Sequence, residues 1–288
     1  MILTKTFYYC IILPISLLPF SILYLFSDAL FIIVYHIIGY RKKVVLTNLQ
    51  NSFPEKSTKE LNIIMYRFYI HFCDIIMESV KGFSISEKEI RNRFIIRNPE
   101  LANKYAKTGQ SIIFVTGHYN NWEMCAQAFP LTSDHYCCGI YKPLTNSFLN
   151  QKIFSSRSKF GCNLIYMQQT KKSFEDKSQI KAIAFVSDQS PTNAKRSYWM
   201  KFLNQDTGVS FGVEKYSKEY NCPVIYASII KVKRGYYEVY YSIITENPNN
   251  EHDGKITRDY TTKLEKEIIN KPQYWLWSHK RWKHKKQK

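Results

Sequence analysis

The sequence lacks the residue patterns that mark most metalloproteins and disulfide-stabilised proteins. Its seven cysteines are scattered without a CxxC pair, and it contains neither an HExxH pair nor an EF-hand loop. The cysteines are therefore interpreted as small core residues of a protein from a reducing compartment. We expect no metal site and no cofactor.

Acidic residues are also scarce. The chain has 23 Asp and Glu residues against 41 Lys and Arg residues, which gives a formal net charge of +18. Such a charge indicates an anionic partner, which is a membrane surface, an acidic protein or a nucleic acid. The sequence contains none of the usual nucleic-acid-binding motifs, so we do not expect a nucleic-acid partner.

Charged residues are absent from a long stretch near the N-terminus. Residues 7–27 carry no charge, and about 20 apolar residues are enough to span a bilayer. Pro14 and Pro19 interrupt the stretch, so a kinked span and a shallow re-entrant hairpin both remain open. A second apolar run, residues 29–40, is too short to span a bilayer by itself.

This apolar region is interpreted as a membrane-attaching segment that occupies residues 1–40. It is too long for a signal peptide, and no small-residue cleavage site follows it. Arg41, Lys42 and Lys43 follow directly, and the positive-inside rule then places the rest of the chain in the cytoplasm. The alternative is a hydrophobic helix pair that packs on a soluble domain.

Helices and strands alternate in the remainder, which predicts an α/β fold with a mostly parallel central sheet flanked by helices. Apolar residues at helical spacing predict a helix at residues 57–81. Predicted strands cover residues 94–97, 111–116, 135–141, 163–167, 182–187, 198–202, 223–232 and 236–245. Further predicted helices begin near residue 121 and cover residues 146–160, 209–220 and 257–270.

The most informative stretch is residues 116–123 (TGHYNNWE), which follows a predicted buried strand and precedes a predicted helix. Open α/β sheets bind ligands at the carboxyl ends of their strands. Gly117 allows a tight turn, and His118 is then expected on that turn at the end of the sheet. Asn120 or Asn121 can cap the helix that follows. The turn is therefore the candidate active site.

His118 and Glu123 have the spacing His-x4-Glu. On one continuous helix the two side chains would point about 140° apart, but with the histidine on the preceding turn they can meet. A carboxylate bonded to one ring nitrogen fixes the tautomer and raises the basicity of the other nitrogen. No Ser or Cys lies in a nucleophile elbow, so we predict that His118 is a general base for an acceptor hydroxyl, with Glu123 as its partner. The alternative is that both residues merely cap a helix.

Residues 117–123 (GHYNNWE) resemble the GHxGNWE block of the lipid A biosynthesis acyltransferases of the late, Kdo2-lipid A type. Further blocks of that family have counterparts in the same order, from about residue 39 to residue 283. They are GYRKKVV, NL and SFP within 39–54, YKPL at 141–144, SDQSP at 187–191, FLN, TG and GVEK within 202–215, and QYWLW with HKRWK within 273–283.

The resemblance implies a membrane-anchored α/β O-acyltransferase of the bacterial inner membrane. Such an enzyme takes a fatty acyl chain from an acyl-carrier-protein thioester and attaches it to a hydroxyl of a lipid A precursor. Acyl carrier protein is acidic and lipid A precursors carry phosphates, so both partners suit a basic enzyme. The acyltransferase domain is then residues 41–288, which face the cytoplasm.

Carried over onto this sequence, the resemblance implies that His118 is the base and Glu123 its partner. Lys142 stands where the family usually has Arg and loses the bidentate fork for phosphate, so Arg157 is a second candidate cation. Asn120 replaces the Gly that the family usually has. The expected substrate-binding residues are Asn121, Lys142, Arg157, Asp188 and Gln189.

Two other functions remain open on the sequence. One is an acyltransferase for another lipid, such as an aminolipid, a glycolipid or a lysophospholipid. The other is a non-catalytic membrane protein that binds anionic lipid through its basic surface. The second function would not need His118 next to Glu123, so substitution of either residue separates it from the enzymatic functions.

Overall fold

Local signals set the helix boundaries in the computed structural model, which describes residues 2–286. The predicted helix at residues 57–81 forms as Thr58–Lys81. The Ser57 side chain accepts a hydrogen bond from the backbone N–H of Glu60, and the Glu60 carboxylate accepts one from the backbone N–H of Ser57. This reciprocal cap satisfies two N–H groups that a helix start otherwise leaves unpaired.

Eleven helices are labelled here in chain order. They are α1 (Ile2–Leu17), α2 (Phe20–Ile38), α3 (Lys42–Ser52), α4 (Thr58–Lys81), α5 (Glu87–Arg93), α6 (Glu100–Lys107), α7 (Trp122–Ala128), α8 (Ser147–Arg157), α9 (Thr170–Glu175), α10 (Gly212–Glu219) and α11 (Lys255–Asn270).

Nine strands complete the fold. They are β1 (Phe94–Ile96), β2 (Ile112–Thr116), β3 (Tyr136–Tyr141), β4 (Asn163–Tyr166), β5 (Lys181–Val186), β6 (Ser197–Phe202), β7 (Gln205–Ser210), β8 (Val224–Lys233) and β9 (Tyr236–Thr245).

The central sheet has seven strands in the order β1-β9-β8-β2-β5-β3-β4. All neighbouring pairs are parallel except β8 and β9, which form an antiparallel hairpin. The predicted fold class is therefore confirmed. In β2, Ile112 and Phe114 face one hydrophobic cluster while Ile113 and Val115 face the other. The sheet is thus buried on both faces, which explains why its central strands are near-continuous apolar runs.

The predicted helix at residues 209–220 starts too early, because β7 occupies its first residues. This strand pairs antiparallel with β6 in a separate two-stranded sheet. Its sequence, QDTGVS, has no apolar alternation that would reveal a strand. The pairing depends on the turn at Leu203 and Asn204, whose φ angles of 49° and 61° fit a tight hairpin connection.

The apolar N-terminus forms two helices. Leu18 and Pro19, whose backbone is extended, separate them. Pro19 has no N–H to donate, so the charge-free stretch 7–27 does not form one continuous helix. The second apolar run instead continues the helix that begins at Phe20, so α2 includes Asp28 and residues on both sides of it. Among the described residues, α2 is the one helix that is long and apolar enough to cross a membrane, by length and composition.

Candidate active site

The candidate site lies where two neighbouring parallel strands end. Thr116 of β2 is the register partner of Val186 of β5, and the backbone N–H of Ser187 donates to the Thr116 carbonyl at 3.0 Å. His118 and Asp188 each come two residues after this register pair. The strand register therefore brings two residues that are 70 positions apart in the sequence to the same edge of the sheet.

Asp188 holds His118 at two atoms. One carboxylate oxygen lies 2.6 Å from His118 Nδ1, and the other accepts the backbone N–H of His118 at 2.9 Å. The second oxygen also accepts the indole N–H of Trp275 at 2.7 Å. Burial raises the pKa of the Asp188 carboxyl, but the charge of His118 and these hydrogen bonds outweigh burial and lower the pKa to about 2. Asp188 is therefore an ionised carboxylate near neutral pH.

The ionised carboxylate determines the tautomer of His118. A carboxylate only accepts hydrogen bonds, so Nδ1 carries the proton that it donates to Asp188, and in the neutral imidazole Nε2 is the nitrogen with the lone pair. The Gln189 amide nitrogen lies 3.1 Å from Nε2 and can donate to that lone pair. Since the imidazole is 17% exposed, Nε2 is positioned to accept a proton from a hydroxyl that displaces the amide.

Glu123, the expected partner of His118, has other hydrogen-bond partners in this structure. The Glu123 carboxylate forms a bidentate ion pair with the Arg157 guanidinium, at 2.7 and 2.9 Å, and it also accepts the indole N–H of Trp122 at 3.1 Å. The Trp122 ring meets the His118 ring edge-on, with centroids 5.1 Å apart. The Glu123 carboxylate therefore contacts His118 only indirectly, through the Trp122 indole, because it is paired with the Arg157 guanidinium.

Comparison with protein families identifies the chain. The family described as bacterial lipid A biosynthesis acyltransferase matches residues 2–284. The chain belongs to this family. No individual curated protein matches the chain. The match covers nearly the whole sequence, so it supports the assignment of the chain as a lipid A acyltransferase.

The two asparagines of the turn have structural roles in this lipid A acyltransferase. Asn120 has a φ of 55°, a left-handed conformation that Asn tolerates, which explains how it replaces the family's Gly. Asn121 is fully buried, accepts the backbone N–H of Met124 as the cap of α7 and donates to Glu78. Both ends of its amide are engaged, so Asn121 holds the turn, and its expected substrate-binding role stays a prediction.

The two candidate cations differ in their surroundings. Arg157 is engaged by Glu123, and its guanidinium lies 5.3 Å from the centre of the Tyr141 ring. Lys142 directly follows Tyr141 at the carboxyl end of β3 and is exposed. Since β3 neighbours β5 in the sheet, Lys142 lies at the same edge as Asp188. Of the two, Lys142 is the more exposed cation, and it has no ion-pair partner among the described residues.

The C-terminal block of the lipid A acyltransferase braces the histidine turn. The backbone N–H of Leu276 donates to the His118 carbonyl at 3.2 Å, and that of Asn120 donates to the Tyr274 carbonyl at 3.0 Å. The Asn48 side chain donates to the carbonyls of Trp277 and His279 at 2.9 and 3.0 Å. Family blocks from both ends of the chain therefore meet behind the site.

Sequence reasoning missed Trp275 and Trp122 as site residues. Trp275 is buried, as a core residue would be. Its indole N–H, however, reaches Asp188 across 87 positions of sequence, and no local spacing encodes that contact. Trp122 was visible within the family block, but its position between His118 and Glu123 depends on the side-chain geometry.

Proposed function

We propose that this lipid A acyltransferase moves a fatty acyl chain from an acyl-carrier-protein thioester to a hydroxyl of a lipid A precursor, with His118 as general base. Asp188 is the carboxylate that orients the imidazole and stabilises its protonated form. The observation that carries this proposal is the 2.6 Å contact between Asp188 and His118 Nδ1, which leaves Nε2 as the basic nitrogen. Family membership supplies the reaction class.

The reaction requires His118 Nε2 to take one proton from the acceptor hydroxyl and then to give one proton to the leaving thiolate. The acceptor hydroxyl displaces the Gln189 amide at His118 Nε2 and attacks the thioester carbonyl carbon as its proton passes to Nε2. The carbon–sulfur bond then breaks, and the departing thiolate takes the proton back, which gives an ester and a thiol. Within residues 2–286, the side chains hydrogen-bonded to the His118 ring are Asp188 and Gln189, so direct attack without an acyl-enzyme fits the site.

Glu123 and Arg157 are proposed as positioning residues. Their ion pair fixes the Trp122 indole, which in turn packs against the His118 ring. Lys142 is proposed to attract the phosphates of the lipid acceptor, since it is exposed at the same edge of the sheet.

We also propose attachment to the cytoplasmic face of the bacterial inner membrane. More than half of the exposed large hydrophobic residues in the described part of the chain lie within residues 2–40, which favours a lipid contact at the N-terminal helices. The net charge of +18 suits both anionic lipid and the acidic acyl carrier protein. Arg41, Lys42 and Lys43, which follow the apolar segment, favour the cytoplasmic side for the catalytic domain.

The test is acyl transfer by membranes that contain the protein. Labelled acyl-carrier-protein thioester is offered with separate acceptors: a tetra-acylated lipid A precursor, a lysophospholipid and an aminolipid. The matched variants are His118→Ala and His252→Ala, since His252 is an exposed histidine in the loop before α11. Turnover is expected to fall about 10²–10⁴-fold in His118→Ala and to stay normal in His252→Ala.

Each outcome distinguishes one part of the proposal. Transfer to the lipid A precursor that depends on His118 supports both the reaction and the acceptor. Transfer to a different lipid keeps the base and overturns the acceptor. If His118→Ala keeps normal turnover, the assignment of the base is wrong, and a complete lack of transfer in the unmodified protein favours a non-catalytic lipid-binding role.

A further inference from the structure

The length of α2 alone does not decide how the N-terminus meets the membrane. Its 19 residues extend roughly 28 Å as a helix, close to the roughly 30 Å of a bilayer's hydrocarbon core. A helix of this length crosses a bilayer if it is free of the domain. Its contacts with the domain therefore decide whether it crosses.

Polar contacts attach the middle of α2 to the domain. Ser27 donates to Asp74 at 2.9 Å, and Tyr24 donates to Glu78 at 2.9 Å. Asp74 and Glu78 are buried carboxylates of α4, and burial raises the pKa of Glu78. If α2 left the domain, both carboxylates would lose a hydrogen-bond donor.

A third contact lies on the same part of the helix. Asp28 pairs with Arg234 in the β8–β9 turn at 2.5 Å, and Arg234 also pairs with Asp74 at 2.7 Å. If α2 crossed the bilayer with these pairs intact, charged groups of the domain would have to enter the hydrocarbon core, which is unfavourable.

Contacts continue to both ends of the N-terminal segment. At the turn before α2, Lys81 donates to the Leu18 carbonyl at 3.0 Å, and Ser84 donates to the carbonyl of Ser16. In α1, the Asn146 amide donates to the Thr4 hydroxyl at 3.3 Å. Near the end of α2, the Tyr35 ring packs against Tyr69, with centroids 5.3 Å apart. Both helices therefore lie along the domain over most of their length.

The opposite face of α2 is apolar and has no protein partner among the described residues. Its exposed large side chains recur at helical spacing, and they are Ile22, Leu25, Phe26, Ile32, Ile33, Ile37 and Ile38. The exposed cations Arg41 and Lys43 follow the C-terminal end of this helix, and Lys5 is an exposed cation of α1. An apolar stripe with basic residues at one end matches the interface of an anionic bilayer, where rings and aliphatic chains enter the acyl region and cations contact headgroups.

We propose that α1 and α2 lie in the plane of one leaflet of an anionic bilayer and that neither helix crosses it. The apolar stripe on α2 then holds the domain against the membrane surface. The helix α1 and the Leu18–Pro19 turn lie on the same side of the membrane as the active site. This inference rests on the proposed membrane attachment, but it makes no use of the acyl-transfer reaction.

Cross-linking in intact membranes tests the attachment of α2 to the domain. In a Cys10→Ser background, which removes the one exposed cysteine among the described residues, the pair Asp28→Cys and Arg234→Cys replaces an exposed ion pair. A short bis-maleimide, whose arm replaces the reach of the two lost side chains, is expected to join the two cysteines, seen as a faster-migrating band that each single variant lacks. In a spanning helix residue 28 would lie roughly 12 Å along the helix from Phe20 and away from the domain surface, so no intramolecular cross-link would form.

Labelling with a membrane-impermeant maleimide tests the side on which the N-terminus lies, through Lys5→Cys and Pro19→Cys in the same background. Neither cysteine is expected to react in right-side-out spheroplasts. Reaction of both cysteines from outside would show a single span by α2, and reaction of the cysteine at position 19 alone would show a two-helix hairpin across the bilayer. Either result overturns the proposal.

Two further outcomes separate this proposal from other interpretations. If a Phe26→Cys variant cross-links to a second copy in detergent-free membranes, the stripe is a dimer interface and the proposal is wrong. If the unmodified protein does not sediment with vesicles of anionic phospholipid, the membrane attachment fails. Acyl transfer is measured independently, so a protein that sediments and shows the intramolecular cross-link but has no activity retains the in-plane arrangement and loses the proposed reaction.

Discussion

The Asp188 carboxylate contacts both the ring and the backbone of His118, with one oxygen on Nδ1 and the other on the amide N–H. The first contact sets the tautomer, and the second fixes the turn that carries the ring. The indole N–H of Trp275 donates to the second oxygen as well, and the indole shields the Asp188 carboxylate from water. The carboxylate therefore determines the position and the tautomer of the proposed base together.

Asp188→Asn is expected to lower kcat by about 10²–10⁴-fold with little change in KM. The amide keeps the size of the carboxylate, but it can donate to Nδ1 and move the proton to Nε2, and it does not stabilise an imidazolium. The measurement is steady-state acyl transfer, with circular dichroism to show that the variant is folded. If Glu123→Gln lowers kcat more than Asp188→Asn does, the partner of His118 is Glu123 after all.

Glu123 and Arg157 are expected to act as one unit. Either single change, Glu123→Gln or Arg157→Gln, leaves one partly buried charge without its partner, so the two losses should not add in the double variant. We expect the double variant to be no less active than the worse single variant. We also expect a coupling free energy of about 1 kcal/mol between the two residues, taken from the unfolding free energies of the four proteins. Activity and denaturant unfolding are measured for all four proteins, and simple additivity would show that the pair does not couple.

Gly117→Ala is expected to displace the histidine turn. A Cβ at this position would lie 2.7 and 2.8 Å from the two methyl carbons of the buried Leu264 and 3.3 Å from Asp188. We expect a loss of about 1–3 kcal/mol in unfolding free energy and at least a tenfold fall in kcat. Gly212→Ala is the control, because its Cβ would meet nothing closer than 3.9 Å. Normal activity of the Gly117 variant would show that the turn tolerates the shift.

Glu267 is expected to make the protein less stable as the pH rises towards neutrality. Burial is the main cause that raises the pKa of its carboxyl, to about 7, although Ser228 and Tyr226 both donate to it. Between the ordinary glutamate pKa and pH 7 the unfolded chain is ionised while the folded carboxyl stays protonated. The unfolding free energy therefore decreases over that interval and levels off above it.

Glu267→Gln removes this dependence because the amide stays neutral at every pH. The variant is expected to be about 1–3 kcal/mol more stable than the unmodified protein at pH 8, with a smaller difference at pH 5. Denaturant unfolding at the two pH values measures the effect. An equal difference at both pH values would show that the ionisation of Glu267 does not contribute.

Much of the architecture was predictable because it depends on local patterns. Central strands such as β2 and β5 are short apolar runs between polar turns, and α4 carries its own cap at Ser57. The strand β7 was not predictable, since its residues show no apolar alternation and its pairing is formed with β6 through a tight turn.

The sequence by itself determined that His118 follows one buried strand and that Asp188 and Gln189 follow another, because strand ends and turns are written in local composition. Only the tertiary structure decided which carboxylate meets the imidazole. The register of β2 with β5 brings Asp188 to His118, and the guanidinium of Arg157 draws Glu123 away. Local spacing limits which faces two side chains share, but partners far apart in sequence are selected by strand pairing and by competing charges.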